Sequence, residues 1–328
     1  MDTSVQELWS KLDLITPMAV RVAATLRVAD LIAAGHDDLP ALAAKAGSAG
    51  VDETALGRLL RYLIARGIFV EPERGRFALN DLAEVLLDDH PTSTRGWLDL
   101  DGFGGRMDLA FFDLLDVVRS GRPEVTGHEA NLSDAESESY DSVMEAQSRA
   151  QAPGISRAYD WSRFARVIDV GGGTGTLLAE LLRTNPNLRG TLLDLPKAAA
   201  KASAVFAEAG VGERAEAIGG DLFEVMPERG DVYVLKFVLH FLEDDEAVHA
   251  LTRCREARAA SGRVVVIERS VAPGDDRKDF TAMDMRMLIL GHGRERTVDE
   301  YTALAARAGL AVGVVTTTVD DLHLIELV

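Results

Sequence analysis

Val167-Ile168-Asp169-Val170-Gly171-Gly172-Gly173-Thr174-Gly175 decides how this chain folds. An apolar, β-branched run leads into a glycine loop, and Leu177, Leu178, Leu181 and Leu182 follow at helical spacing. Strand, tight loop and helix in that order form the first unit of a parallel sheet. The alternation continues outward from it. The patterning predicts strands over 166–170, 191–194, 215–218, 232–235 and 263–268, and helices over 175–183, 197–209, 245–257 and 297–308. Two further strands, 311–316 and 323–327, are joined only by a short link at Asp320-Asp321, which implies an antiparallel hairpin at the end. The expected architecture is α/β, a mostly parallel seven-stranded sheet covered on both faces.

Before residue 153 the character differs. Apolar residues recur at helical spacing from Pro17 to Ile32, a short helix is predicted over 39–46, and Asp52 caps a third with Leu56, Leu59, Leu60, Leu63 and Ile64 on one face. Residues 67–71 and 76–79 flank the turn signal Pro72-Glu73-Arg74-Gly75 and read as a hairpin, which makes a winged-helix pattern. Further helices are expected over 92–150, the last around 134–152, and Pro153-Gly154 punctuates the chain. Two domains are therefore expected, 1–152 and 153–328.

Composition narrows the function. The formal net charge is -18, and residues 1–90 hold nine basic and fourteen acidic side chains. Such a surface repels phosphate backbones and anionic lipid, so neither nucleic acid nor membrane is the expected partner, and the winged helix reads as a dimerisation scaffold. No apolar run reaches the roughly 18 residues of a membrane span. Cys254 is the single cysteine, which excludes an internal disulfide and a cysteine-rich metal site. The expected address is the cytoplasm.

Ligands of such sheets sit at the carboxyl ends of the strands. Gly171 and Gly173 let the backbone approach one closely. A dinucleotide fingerprint, G-x-G-x-x-G, would need glycine where Thr176 stands. Asp169, inside the strand, would face a pyrophosphate badly but suits the ammonium end of a methionine-like ligand. Asp194 ends the next strand, where a carboxylate accepts from ribose hydroxyls, a feature shared with nicotinamide sites. Asp221 is placed to accept from an adenine amino group, with Leu222 and Phe223 against the ring. Each lone aspartate reads equally well as a turn or helix cap. Together the three strand ends point to a sulfonium nucleoside, S-adenosylmethionine.

Here the chain resembles the S-adenosylmethionine-dependent O-methyltransferases of the plant caffeate/isoflavone type and their bacterial relatives in polyketide and antibiotic tailoring. The resemblance rests on 167–175, Asp194-Leu195-Pro196, 219–223, Leu235-Lys236-Phe237-Val238-Leu239-His240 and Gly293-Arg294-Glu295-Arg296-Thr297, and it extends over nearly the whole chain. It implies a class I methyltransferase fold, contacts to the cofactor from Gly171, Asp194, Asp221, Leu222 and Lys236, and a homodimer with interlocked amino-terminal domains. It makes His240 the base, with Glu268 and Glu295 hydrogen-bonding and orienting it. A phenol with a pKa near 10 is mostly protonated at neutral pH, and a placed histidine contributes about 10²–10⁴-fold by removing that proton. A carboxylate beside an imidazole fixes its tautomer and stabilises the imidazolium. His249 and His292 have no such company in the motif.

The chain departs from the plant pattern at Phe241 and Leu242, where plant members carry Asp-Trp, so the cofactor is held differently there. Phe103, Met107, Met144 and Met287, with Phe111, Gln147, Met285, Leu288 and Leu290, are the candidate lining for an aromatic small-molecule acceptor, and each reads equally as plain core. No metal cluster is visible and no magnesium is expected. The expected reaction is in-line methylation of a phenolic hydroxyl. The alternatives are drifted hydroxylase or decarboxylase chemistry on the same fold, and a ligand-sensing winged-helix regulator.

Overall fold

The computed structural model describes residues 3–47, 50–90, 92–123, 132–271 and 278–328. Residues 124–131, within the stretch expected to be helical, lie outside these. The chain divides into two compact units, Met1–Leu109 with Ser133–Tyr140, and Ala110–Leu132 with Asp141–Val328.

In the first unit, helices Ile15–Thr25, Val28–Ala33, Leu39–Lys45 and Glu53–Ala65 precede an antiparallel hairpin of β1 (Val70–Glu73) and β2 (Arg76–Ala78). Asp38 and Asp52 cap the third and fourth of these helices by accepting the backbone N–H of Ala41 and Ala55. Leu42, Leu56, Leu60, Leu63, Phe69 and Phe77 close the core. The single helix expected from Pro17 to Ile32 is two helices. Arg27 between them holds a left-handed φ of 55° and ends the first. Its guanidinium is 2.8 Å from Asp88, a contact made only in the folded chain, and 3.4 Å from the neighbouring Asp30.

The second unit is built on β3 (Arg166–Val170), β4 (Arg189–Asp194), β5 (Ala215–Gly219), β6 (Val232–Lys236), β7 (Arg263–Arg269), β8 (Val312–Thr317) and β9 (Leu322–Leu327), in the order β5-β4-β3-β6-β7-β9-β8. The first five strands pair in parallel, and β9 runs antiparallel to both β7 and β8. Successive residues of β3 and β6 feed opposite layers. Val167, Val232 and Val234 pack with Leu178, Leu181 and Ile155, while Ile168, Tyr233 and Leu235 pack with Leu251, Tyr301 and Leu304. That two-faced burial is why these strands read as continuous apolar runs.

The order reverses between β3 and β6. From β3 the chain winds out through β4 to β5, then returns to the far side of β3. The crevice beyond the carboxyl ends of β3 and β6 is therefore the ligand position of the fold.

Helix boundaries follow their caps. Glu243 with Glu246, and Thr297 with Glu300, form capping boxes that start helices Asp244–Ala257 and Val298–Arg307. Two elements differ from expectation. The helix Asp134–Ala158 runs straight through Pro153. Proline costs that helix one N–H donor, and burial of Ala152, Gly154 and Ile155 around it carries the helix on. The helix Lys278–Leu290, not assigned from sequence, precedes the Gly293–Thr297 motif. Among the described residues no helix is long and apolar enough to cross a membrane.

Candidate active site

The glycine loop leaves β3 with φ of 69° at Gly171 and 60° at Gly173. A Cβ at Gly171 would lie 2.6 Å from Val238 Cγ2, so that glycine is required by close packing. A Cβ at Gly173 would meet no protein atom within 4 Å. The second glycine therefore faces open space at the crevice, as a loop that cradles a ligand must.

Asp169 lies beneath this loop, 1% exposed, and neither of its carboxylate oxygens has a hydrogen-bond partner among the described residues. Burial pushes its pKa up to about 7, against the pull of Lys236. A buried carboxylate without donors calls for a cationic or N–H-bearing ligand. Asp194 takes the N–H of Gly173 at 2.6 Å on Oδ2 and that of Leu195 at 2.7 Å on Oδ1. It thus ties the end of β4 to the glycine loop, and its burial raises its pKa. Asp221 is exposed and accepts the N–H of Phe223 at 2.8 Å, the turn geometry its sequence also allowed. Leu222 and Phe223 are half-buried, and the Phe223 ring lies 5.2 Å from that of His249.

Lys236 ends β6. Its ammonium donates to Ser148 Oγ at 3.0 Å and lies 4.7 Å from the Phe237 ring centre. Burial lowers its pKa to about 8, while Asp169 and Glu268 act in the opposite direction. Phe237 itself holds a left-handed φ of 54°. For a non-glycine residue that costs roughly 1–3 kcal/mol and tends to occur at functional sites.

His240 follows on a single 3₁₀ turn, Leu239–Phe241, and is buried. Its Nδ1 lies 2.8 Å from Glu295 Oε1. Its Nε2 has no hydrogen-bond partner among the described residues. The Phe237 ring stacks at 5.4 Å on one side, and the Phe241 ring meets the imidazole edge-on at 4.2 Å. Glu268 takes a different part of the turn. Its Oε1 accepts the backbone N–H of Leu239 at 3.0 Å and of His240 at 3.3 Å, and its Oε2 stands 3.8 Å from Nδ1. Burial alone would lower the histidine pKa, but Glu268 and Glu295 outweigh it and raise it. Burial raises that of Glu268 in turn.

Glu295 is held from behind, its N–H donating to Asp284 Oδ1 at 2.9 Å. Gly293 lets this segment cross the histidine turn, since a Cβ there would collide with the His240 carbonyl oxygen. His240, Glu268 and Glu295 are thus brought together. His292 stands apart, 3.8 Å from Glu243.

Of the expected acceptor residues, Met287 is buried one turn after Asp284, on the same side of its helix, and half-buried Met144 stands one turn before Ser148 on its own. Phe103 and Met107 are buried within the first unit, where the Phe103 ring meets Tyr140 edge-on at 4.8 Å. Among the described residues no group of three or more His, Cys, Asp or Glu side chains could hold a metal ion. Phe237, Asp284, Ser148 and Arg296 were not singled out from sequence. Phe237 and Arg296 lie inside the motifs at 235–240 and 293–297, which were read for Lys236, His240 and Glu295.

A seven-stranded sheet in this order, with the glycine loop after its first strand and acidic residues at the next two strand ends, defines a class I methyltransferase. An O-methyltransferase domain model matches residues 110–311, and an O-methyltransferase dimerisation domain model matches residues 10–89. The chain belongs to this O-methyltransferase family. It is 42% identical over 311 residues to 2,7-dihydroxy-5-methyl-1-naphthoate 7-O-methyltransferase of Streptomyces carzinostaticus, covering 92% of this chain and 91% of that one. It is 40% identical over 311 residues to aclacinomycin 10-hydroxylase RdmB of Streptomyces purpurascens, covering 92% and 82%. Among solved structures, the O-methyltransferase NcsB1 from neocarzinostatin biosynthesis, in complex with S-adenosyl-L-homocysteine and 1,4-dihydroxy-2-naphthoic acid, superposes with a TM-score of 0.88. It is 40% identical, with 98% of each chain covered.

Proposed function

We propose that this chain methylates a hydroxyl of an aromatic metabolite with S-adenosylmethionine as donor, and that His240 removes the hydroxyl proton. The single observation that carries the reading is the buried imidazole of His240, with Nδ1 engaged by Glu295 at 2.8 Å and Nε2 left without a partner among the described residues. Nδ1–H donating to a carboxylate leaves the lone pair on Nε2, so the ring is set in the tautomer that accepts a proton there. The imidazolium that forms has two buried carboxylates beside it, which lowers the cost of charge at that point.

The donor fits the crevice. When bound, it supplies a methyl group activated by a sulfonium. The partnerless oxygens of Asp169 suit its ammonium, the open space at Gly173 gives the backbone close approach, and Asp194, Asp221, Leu222, Phe223 and Lys236 are assigned to the nucleoside and methionine portions. Phe237 and Phe241 flank the imidazole with apolar surface. Met144 and Met287 are assigned to the acceptor pocket. Aromatic acceptors in the relatives' names support that class of substrate.

The dimerisation match, together with the exposed apolar side chains Leu8, Trp9, Leu12, Leu14 and Ile15, supports a homodimer. The cytoplasm is the proposed address, in keeping with a lone buried thiol at Cys254.

The test is His240→Ala with methyl-labelled donor and a panel of hydroxynaphthoic acids and other phenols. Label in the product of the native enzyme, lost by at least about 100-fold in the variant with S-adenosylhomocysteine affinity retained, supports the reading. Unchanged turnover removes the base assignment. Oxygen consumption without label would favour the hydroxylase chemistry of the 40% identical relative.

A further inference from the structure

A general base must be held within a fraction of an ångström, and a lone 3₁₀ turn is a poor support. Among the described residues, the turn carrying His240 has two backbone hydrogen bonds of its own, Phe241 N–H to Val238 O and Leu242 N–H to Leu239 O, both at 3.2 Å. Two buried charges supply the rest. Glu268 takes the N–H groups of Leu239 and His240. Arg296, with a wholly buried side chain, donates Nη1–H to the Leu239 carbonyl and Nη2–H to the Leu242 carbonyl, each at 2.7 Å. The guanidinium fork thereby spans the turn from its first residue to the residue after its last.

Its countercharge lies on the far side, where Asp244 Oδ1 accepts from Nη2 at 2.8 Å and from Nε at 3.1 Å. The Arg296 backbone is fixed as well, its carbonyl accepting from Ser270 Oγ at 3.1 Å. Glu295 and Arg296 are consecutive, so the two side chains diverge. One engages the imidazole ring, and the next engages the backbone that carries it. An ion pair serving stability alone would not need both carbonyls. A buried guanidinium left without partners is strongly destabilising, and here the carbonyls of this one turn are among its partners.

We propose that Arg296 is a positioning residue, which fixes the turn Leu239–Phe241 so that the His240 ring stays in register with Glu295 and with the reacting hydroxyl. The inference rests on the base reading of His240 but has its own readout, the titration of the His240 ring. Glu268, Glu295 and Arg269 face or act on that ring from β7 and from the Gly293–Thr297 segment, and Arg296 lies behind the turn. The two carboxylates raise the ring's pKa, so a ring that drifts from Glu295 titrates lower. Removing the arginine's charge would push the other way. Arg296→Lys separates the two effects, since it keeps the charge and loses the fork.

The experiment is histidine-labelled NMR on the full-length protein saturated with S-adenosylhomocysteine, with the His240 signal assigned by its absence in His240→Ala. In Arg296→Lys the His240 pKa is expected to fall. Single-turnover methylation is expected to drop about 10- to 100-fold, since small misplacements of a reacting group cost that much, while S-adenosylhomocysteine affinity stays within about threefold. Arg294→Ala, which removes a half-exposed guanidinium from the same Asp244, should leave all three readings unchanged. A folded Arg296→Lys whose His240 titrates as in the native protein overturns the proposal. If the lysine variant does not fold, Arg296→Gln takes its place and is read by single-turnover rate and S-adenosylhomocysteine affinity, not by the pKa, because it also removes the charge; an unchanged rate then overturns the proposal. Should His240→Ala keep full turnover, the base reading fails separately, and the NMR arm still decides whether Arg296 positions the ring.

Discussion

Replacing Glu295 by Gln changes one atom at the side chain nearest His240 Nδ1 and nothing in its volume. In the native chain the Nδ1 contact is 2.8 Å, charge-assisted and buried. A hydrogen bond to an ionised partner contributes about 1.5–3 kcal/mol, a neutral one about 0.5–1.5 kcal/mol. The difference of about 1–2 kcal/mol falls on the imidazolium formed during proton transfer, which corresponds to roughly a 5- to 30-fold loss in kcat. That is a lower bound. An amide can also turn its NH₂ toward Nδ1, which would place the imidazole proton on Nε2 and block the base.

The pH profile should move too. His240 accepts a proton only when neutral, so the rate rises as pH passes its pKa. Glu268 and Glu295 hold that pKa above the ordinary value. With Glu295 neutralised the pKa falls, and the rising limb shifts to lower pH while its plateau drops. Steady-state kinetics from pH 5 to 9 and calorimetric titration with S-adenosylhomocysteine together decide the matter. A plateau within about twofold of the native enzyme would refute the reasoning, as would an equal loss of cofactor affinity, since a 10-fold effect is well outside what an untouched base allows.

Asp169, with a folded pKa of about 7 and an ordinary value of 3.8, must ionise to receive an ammonium. S-adenosylhomocysteine affinity should therefore weaken up to about tenfold per pH unit below 7 and level off above it. In the free protein the sign reverses. A raised folded pKa stabilises below the unfolded value and is lost as pH climbs through about 7, so Asp169→Asn should raise Tm at pH 8 and flatten the affinity profile. A variant that keeps the native pH dependence of binding would show that another group titrates. Gly173→Ala adds a methyl that meets no protein atom within 4 Å, at a left-handed backbone costing roughly 1–2 kcal/mol. Its Tm should fall by only a few degrees while S-adenosylhomocysteine affinity drops more than about tenfold. Native affinity in that variant would mean the space beside Gly173 is not the ligand's.

Much of the second unit was legible because its signals are local. β-branched runs, the glycine loop and the short Asp320-Asp321 link report directly on strand, turn and hairpin, and all seven strands lie close to their expected positions. The break at Arg27 was not legible, because its left-handed backbone goes with an ion pair to Asp88, 61 residues away, that exists only in three dimensions. Pro153 misled for the opposite reason: a strong local breaker is overridden where both its neighbours are buried. At the site, the family resemblance placed His240, Glu268 and Glu295 in one constellation. It carried no information on which part of the histidine each glutamate meets. Glu268 reaches the backbone and Glu295 the ring, a division set by the course of the segment after Gly293. Arg296 escaped notice because a cation in a motif reads as solvent-facing until its burial is known.

The place of β9 between β7 and β8 bears on how the protein is made. β9 is made after the six other strands of the sheet, yet it covers one edge of β7 over residues 264–269, with His323 opposite Glu268 and Leu327 opposite Val264. Until then the apolar residues 264–267 present an open hydrogen-bonding edge, the kind of template on which nascent chains join one another. The sheet is therefore completed only once β9 has been made. A chain lacking β9 would hold His240, Glu268 and Glu295 on an unfinished sheet, a natural client for chaperones and proteases.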